Sequence, residues 1–407
     1  MYDLIPNPEE FDSKKGRELA KRFFEQYVDR RKVPLVARQE TNGYPSLLEY
    51  LAYHAQDCKY VNLNGYGRKV DAVIGQEKTL FKLLLAAIQP KSFCLEGPAG
   101  SGKTLMMYSL LSLLPSEDVY LFEMSTDTVL FLHADEINKR KILFIPEYQK
   151  VVGNGGRKTQ EALKALLEGR PAIHRERRGK RVIEYRIEPI YVFTAIASEN
   201  RLKGQVDKDK EDRRRYALIK VDASAEQMKK VSMFKARNRF DKRRNYVSEE
   251  IIEALERHIA RLMNLQFEVF DPFAEYIAGQ IPDISSAACY IDEYFDFVAA
   301  CTKYHFLDRR IESDGRKYLF TNLQDHFLVW WAYKDDFFDA LSLLEGKEIR
   351  VPKIDWEECW RFGIENMKRA FPYCVVDEWI KKQLRCGKVV APDLENKSDF
   401  VIVDYAR

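Results

Sequence analysis

The stretch LEGPAGSGKTLMM, Leu95 to Met107, sets three glycines, a lysine and a threonine between two apolar segments. Gly97, Gly102, Lys103 and Thr104 match the spacing G-x-x-x-x-G-K-[ST], with the strand-like SFCLE before it and the helix-like TLMMYSLLSLL after it. Strand, glycine loop, helix is the context this pattern requires. Backbone amides of such a loop wrap a β-phosphate at a positive helix N-terminus, and the lysine neutralises β and γ oxygens. The candidate nucleotide-binding residues are therefore Gly97, Pro98, Ala99, Gly100, Ser101, Gly102, Lys103, Thr104 and Leu105, with the Thr104 hydroxyl the candidate magnesium ligand. The implied cofactors are ATP and Mg²⁺.

Four further apolar, β-rich segments recur at 119–124 (VYLFEM), 141–145 (KILFI), 189–197 (PIYVFTAIA) and 217–222 (ALIKVD), separated by helix-length stretches. With SFCLE they make five strands, and alternation of this kind predicts an α/β fold with a parallel sheet covered on both faces. The ligand then lies at the carboxyl ends of the strands. Polar residues stand there in order. Glu147, closing ILFIPE, can act as a general base on the attacking water. Asn200, after TAIASE, can hold that water or read the γ-phosphate. Arg213 and Arg214, in EDRRRY before the fifth strand, can reach a neighbouring subunit and stabilise transition-state charge.

Composition bounds the rest. At 407 residues the chain predicts about two or three domains, and 46% hydrophobic with 32% charged residues is a globular balance. No apolar run approaches the ~20 residues of a membrane span. The start, MYDLIPNPEEFDSKKGR, holds no apolar signal core, so the expected compartment is the cytoplasm. Seven cysteines without C-x-x-C spacing read as reduced, buried and inert, and six histidines show no zinc spacing. Net charge is only +3, so any nucleic-acid contact must be local; basic patches lie around Arg175 to Arg181 and Lys235 to Arg244.

VIGQEKTLFKLLLAAI, GPAGSGKT, ILFIPE, TAIASEN and the arginines before strand five together resemble an AAA+ ATPase core over about residues 70 to 225. One departure is specific. The aspartate that precedes the catalytic glutamate in the family is Pro146 here, which leaves magnesium to Thr104, the phosphates, water and Glu147. Asp135 and Glu136, after VLFLHA, are the rival acids, but the third-strand position and the helix that follows fit Glu147 better.

Between the helix TQEALKALLEG and the fourth strand lies RPAIHRERRGKRVIEYRIEP, which reads as a β-hairpin (171–188) turning at Gly179 and Lys180. Its place is similar to the pre-sensor-1 hairpin of minichromosome maintenance, viral superfamily-3 and phage primase-associated helicases. That resemblance implies a hairpin tip pointing into a ring's pore, with Arg178, Lys180 and Arg181 on the backbone of single-stranded DNA.

The remaining segments complete the expected layout: a small helical N-terminal domain (1–70), the core (71–225), a helical lid (226–347) and a winged-helix-like unit (348–407) suited to a protein partner. The lid's sensor-2 arginine has no clear counterpart in SSAACY. The leading expectation is a ring-forming, hexameric DNA helicase of a virus, plasmid or mobile element. The alternative is an AAA+ scaffold or regulator on DNA that recruits a partner without unwinding.

Overall fold

The computed structural model describes residues 32–35, 43–57, 59–89, 91–123, 128–154, 156–198, 216–240, 244–284, 287–313, 315–385, 388–392 and 400–404. Its centre is a five-stranded, all-parallel sheet in the order β10-β4-β9-β6-β5. These strands are β4 (Phe93–Gly97), β5 (Val119–Leu121), β6 (Ile142–Ile145), β9 (Tyr191–Ala197) and β10 (Ala217–Lys220). All five sequence-predicted strands are present. Strand β9 inserts between the strand that feeds the glycine loop and the strand that ends before Glu147.

Successive side chains of a strand point to opposite faces, and here they sort into two cores. Phe93, Leu95, Ile142, Phe144, Phe193 and Ala195 join the core built on α2 (Glu77–Ile88) and α3 (Lys103–Leu111). Cys94, Leu143, Ile145, Val192 and Ile196 face the other way. They pack on α4 (Val129–Leu132), α5 (Ala134–Ile137), α6 (Tyr148–Asn154) and α7 (Gly156–Leu167). The segment VLFLHA is thus helical, and Asp135 and Glu136 sit on α5 rather than at a strand end.

Helix α2 is buried from Thr79 to Ile88, because it lies between the sheet and the lid. The second half of the segment expected as the lid (226–347) contains α11 (Ala287–Tyr304), α12 (Phe306–Arg309), the antiparallel pair β13 (Arg310–Ser313) and β14 (Arg316–Phe320), and the long α13 (Leu323–Glu345). Arg309 is buried and donates twice to Asp325, each at 3.1 Å. Burial pushes the Asp325 carboxyl up, and Arg309 with His305 more than reverses this, holding it well below the usual carboxylate range. Trp330 and Trp331 belong to this packing.

Acids on α13 tie the lid to the core. Asp336 pairs with the buried Lys82 of α2 and accepts from the Lys220 backbone N–H of β10 at 3.1 Å. Asp339 pairs with Lys220 at 2.6 Å, and Asp335 with Lys78 at 3.4 Å.

The flanking segments share this core. Helix α1 (Leu47–His54) buries Tyr50, whose hydroxyl donates to Leu80 O at 2.9 Å, and His54, whose Nδ1 meets Ser109 Oγ at 2.6 Å. Residues 59–70, expected within a helical unit, instead form the hairpin β2 (Lys59–Leu63) and β3 (Tyr66–Val70) around Asn64-Gly65. The first part of the helical lid expected at 226–347 likewise divides into α8 (Ala225–Phe240), β11 (Arg244–Tyr246), α9 (Glu249–Met263), β12 (Val269–Phe270) and α10 (Ala274–Gln280). Strand β11 pairs in parallel with β1 (Lys32–Pro34). At the other end, α14 (Trp356–Ala370) and α15 (Tyr373–Arg385) set Trp360 and Trp379 in a stack 5.4 Å apart against Phe273. An antiparallel pair, β15 (Lys388–Pro392) and β16 (Phe400–Asp404), follows. Cys94, Cys301 and Cys359 are buried as expected, whereas Cys374 is exposed at the start of α15, where no core covers it. Among the described residues no helix is long and apolar enough to cross a membrane.

Candidate nucleotide site and basic hairpin

Gly97 ends β4 because a side chain there has no room: a Cβ would come within 2.8 Å of Ser101 Oγ and 3.1 Å of Val221 Cβ. Gly100 and Gly102 have φ of +78° and +86°, backbone that disfavours a side chain, and Gly102 caps α3. The loop therefore curls tightly into the first turn of α3. Lys103 Nζ donates to the Gly97 and Pro98 carbonyls, both at 2.7 Å, which folds its ammonium over the loop. Ser101 Oγ is buried with no hydrogen-bond partner among the described residues. An orphaned hydroxyl, a lysine ammonium and a helix N-terminus turned to one concavity fit a polyphosphate. Thr104 lies in the first turn of α3, half-buried.

Beside the loop opens a cavity of about 490 Å³, a volume typical of small-ligand sites. Gly100, Ser101 and Gly102 form one side, Val73, Ile74 and Leu105 an apolar wall, and α8 the side opposite. The segment carrying Ile74 is stitched in place. Gln227 of α8 donates to Ile74 O at 2.5 Å, and Gln76 both donates to Asp222 O at 2.7 Å and accepts from Asp222 N at 3.2 Å. The sequence reading used VIGQ only as a family mark; its glutamine was the available signal that this turn is anchored.

Glu147 stands two residues beyond β6, at the same edge of the sheet as the glycine loop, because all five strands run parallel. Its carboxylate is partly exposed and pairs with Lys150 at 2.7 Å, one turn along α6. In β9, Thr194 Oγ1 donates to Ile145 O at 2.8 Å and fixes the end of β6. Neither Lys150 nor Thr194 was singled out in the sequence. Asn200, Arg213 and Arg214 lie outside the described residues.

The expected hairpin is present as β7 (Ala172–Arg178) and β8 (Arg181–Ile187), paired antiparallel from Ala172↔Ile187 to Arg178↔Arg181, between α7 and β9. Gly179, with φ +62°, opens the two-residue turn and Lys180 completes it. The root is held by the second core: Ala172 and Ile187 are buried, and His174 lies 5.1 Å from Phe131 and 6.2 Å from Tyr185. Asn138 clamps the far strand, donating to Arg186 O and accepting from Glu188 N, each at 2.8 Å. Cations along the shaft are neutralised, Arg175 by Glu184 at 2.7 Å and Arg186 by Glu188 at 2.6 Å. At the tip Lys180 and Arg181 are exposed and have no carboxylate partner among the described residues. Positive charge is thus concentrated where the ribbon projects farthest.

A profile of the family "Magnesium chelatase, subunit ChlI" matches residues 69–142, from the end of β3 through the glycine loop to the start of β6. The strand order and the glycine loop are consistent with an AAA+ core. Among solved structures, a candidate ATPase from Cytophaga hutchinsonii ATCC 33406 aligns with 12% identity over 90% of this chain and 97% of its own, at a TM-score of 0.33. That likeness is too distant to bear on function. No curated protein matches. Strand order, the glycine loop and the family match over residues 69–142 agree with one another.

Proposed function

We propose that this chain is a ring-forming, ATP-hydrolysing AAA+ motor that moves along nucleic acid, as a replicative DNA helicase of a virus, plasmid or mobile element does. The observation that carries the proposal is the rooted hairpin between α7 and β9, with Lys180 and Arg181 exposed at its tip and without a carboxylate partner among the described residues. In this reading the AAA+ core binds ATP with magnesium: loop amides and Lys103 hold the phosphates, and Thr104 serves the metal. The bound nucleotide supplies the free energy of phosphoryl transfer to water. Glu147 takes the proton of the attacking water, Asn200 orients it, and Arg213 or Arg214 of a neighbouring subunit in a hexamer stabilises the developing charge. Arg178, Lys180 and Arg181 then grip the phosphates of a single strand in the pore. Residues 348–407, with helix, helix and strand pair in the order of a winged helix, are assigned to a protein partner.

Lys180→Ala tests this directly. Loss of one phosphate contact should flatten the slope of log affinity against log salt by about 0.7 on single strands. Basal hydrolysis should persist while its stimulation by DNA and strand displacement disappear. An unchanged salt slope with full DNA-stimulated turnover refutes the motor.

Pro146 favours a second reading. Without an acid at that position, magnesium has one side-chain ligand fewer, which suits a slow ATPase that recruits a partner on DNA without unwinding it. DNA-dependent ATP turnover with no strand displacement by the wild-type protein would select it.

A further inference from the structure

The second basic patch of the sequence, from Lys235 onward, takes no part in the motor described above. Most of its described portion lies on α8, and α8 forms a wall of the candidate nucleotide cavity through Met228, Val231, Phe234, Lys235, Asn238 and Arg239. Spacings of three and four place these side chains on one helical face. Lys235 and Arg239 are one turn apart on that face and have no acidic partner among the described residues. Lys230, by contrast, pairs with Glu226 at 3.5 Å. Two like charges at this separation repel and weaken a helix, unless an anion sits against both.

The acids bordering the cavity are Asp57 and Asp71. Asp57 Oδ2 accepts from the Asn245 backbone N–H at 3.2 Å. Across the cavity are Gly100, Ser101 and Gly102, where Lys103 is the loop's own cation. A triphosphate carries far more negative charge than one lysine offsets. Arg309, a basic residue of the lid, is committed to Asp325.

We propose that Lys235 and Arg239 bind the phosphates of the nucleotide held by the glycine loop of their own subunit, adding their charge to that of Lys103. The patch is therefore part of the ATP site and not a nucleic-acid surface. This rests on the ATP-site reading, and the experiment separates the two. Affinities of ATP and adenosine are measured by calorimetry, and single-stranded DNA affinity by anisotropy, for Lys235→Ala, Arg239→Ala, Lys235→Arg and Lys103→Ala.

Each α8 alanine variant should weaken ATP about tenfold, the scale of one charge-assisted hydrogen bond. Adenosine and DNA affinities should stay at the wild-type value, and Lys235→Arg should retain ATP within about threefold. If DNA affinity falls while ATP affinity holds, the patch is a nucleic-acid surface and the inference is overturned. Equal losses for adenosine and ATP mean that the residues only shape the wall, which also overturns it. If Lys103→Ala abolishes ATP binding but both α8 alanines bind normally, the α8 assignment alone fails; if wild type and Lys103→Ala are alike, the ATP site itself fails.

Discussion

Replacing Asp336 by alanine strands a charge in the seam between α13 and the sheet with its helix α2. The Lys82 and Asp336 side chains are only 4% and 9% exposed, and the same carboxylate accepts from the Lys220 backbone N–H. Removal leaves a buried ammonium without its counter-ion, which costs about 3–5 kcal/mol, together with an unsatisfied backbone donor. The two penalties overlap, so the expected loss is about 4 kcal/mol, a large part of a stability of order 10 kcal/mol. Replacing both charges, as Lys82→Met with Asp336→Leu, removes the stranded ammonium and should recover most of the loss, to within about 1–2 kcal/mol of the parent. Urea denaturation followed by tryptophan emission suits this test, because all five tryptophans lie at or beyond Trp330 and report the lid and the C-terminal helices. A loss below about 1 kcal/mol for Asp336→Ala, or a double variant as damaged as the single one, refutes the argument that this pair is desolvated and holds the seam.

Glu147→Gln should keep ATP affinity within about threefold and stop turnover, whereas Lys103→Ala should lose nucleotide binding; single-turnover hydrolysis and calorimetry read the two effects, and wild-type turnover in Glu147→Gln would move the base elsewhere. Gly97→Ala should weaken ATP binding by at least tenfold, since its Cβ collides with Ser101 and Val221; parental affinity would show that the loop does not need this approach. Burial pushes the Glu293 carboxyl up to about 7 against the pull of Lys91, with Tyr333 hydrogen-bonded to it. A raised folded pKa gives stability that is full below the unfolded value near 4.5 and is lost as pH rises through about 7, by roughly 3 kcal/mol. Glu293→Gln should therefore flatten the fall in stability across that window, and an identical pH profile would show that the carboxyl is not the group responsible.

Much of the site could be read from short stretches. Five strands, the glycine loop, the rivalry between Glu147 and Asp135 with Glu136, and the hairpin turn at Gly179-Lys180 all follow from patterns confined to about ten residues. The β2–β3 hairpin was missed although Asn64-Gly65 marks its turn, because the surrounding helical segments set the expectation for residues 1–70. The short strands β11 and β12 interrupt the helical lid expected at 226–347, and they exist because distant β1 and β14 are there to pair with them.

By itself the sequence determined which loop is the candidate for phosphate, since glycines with left-handed backbone and a lysine at fixed spacing specify that geometry wherever they fold. It also determined that a basic tip projects from the ribbon, since turn chemistry is local. Tertiary structure alone decided what surrounds the phosphate loop. Ile74 and Gln227 meet across 153 positions of chain, Lys82 and Asp336 across 254, and Lys235 and Arg239 reach the cavity because α8 packs against the segment leaving the N-terminal hairpin. Such contacts are set by how helices and sheet exclude water together, so no window of neighbouring residues encodes them.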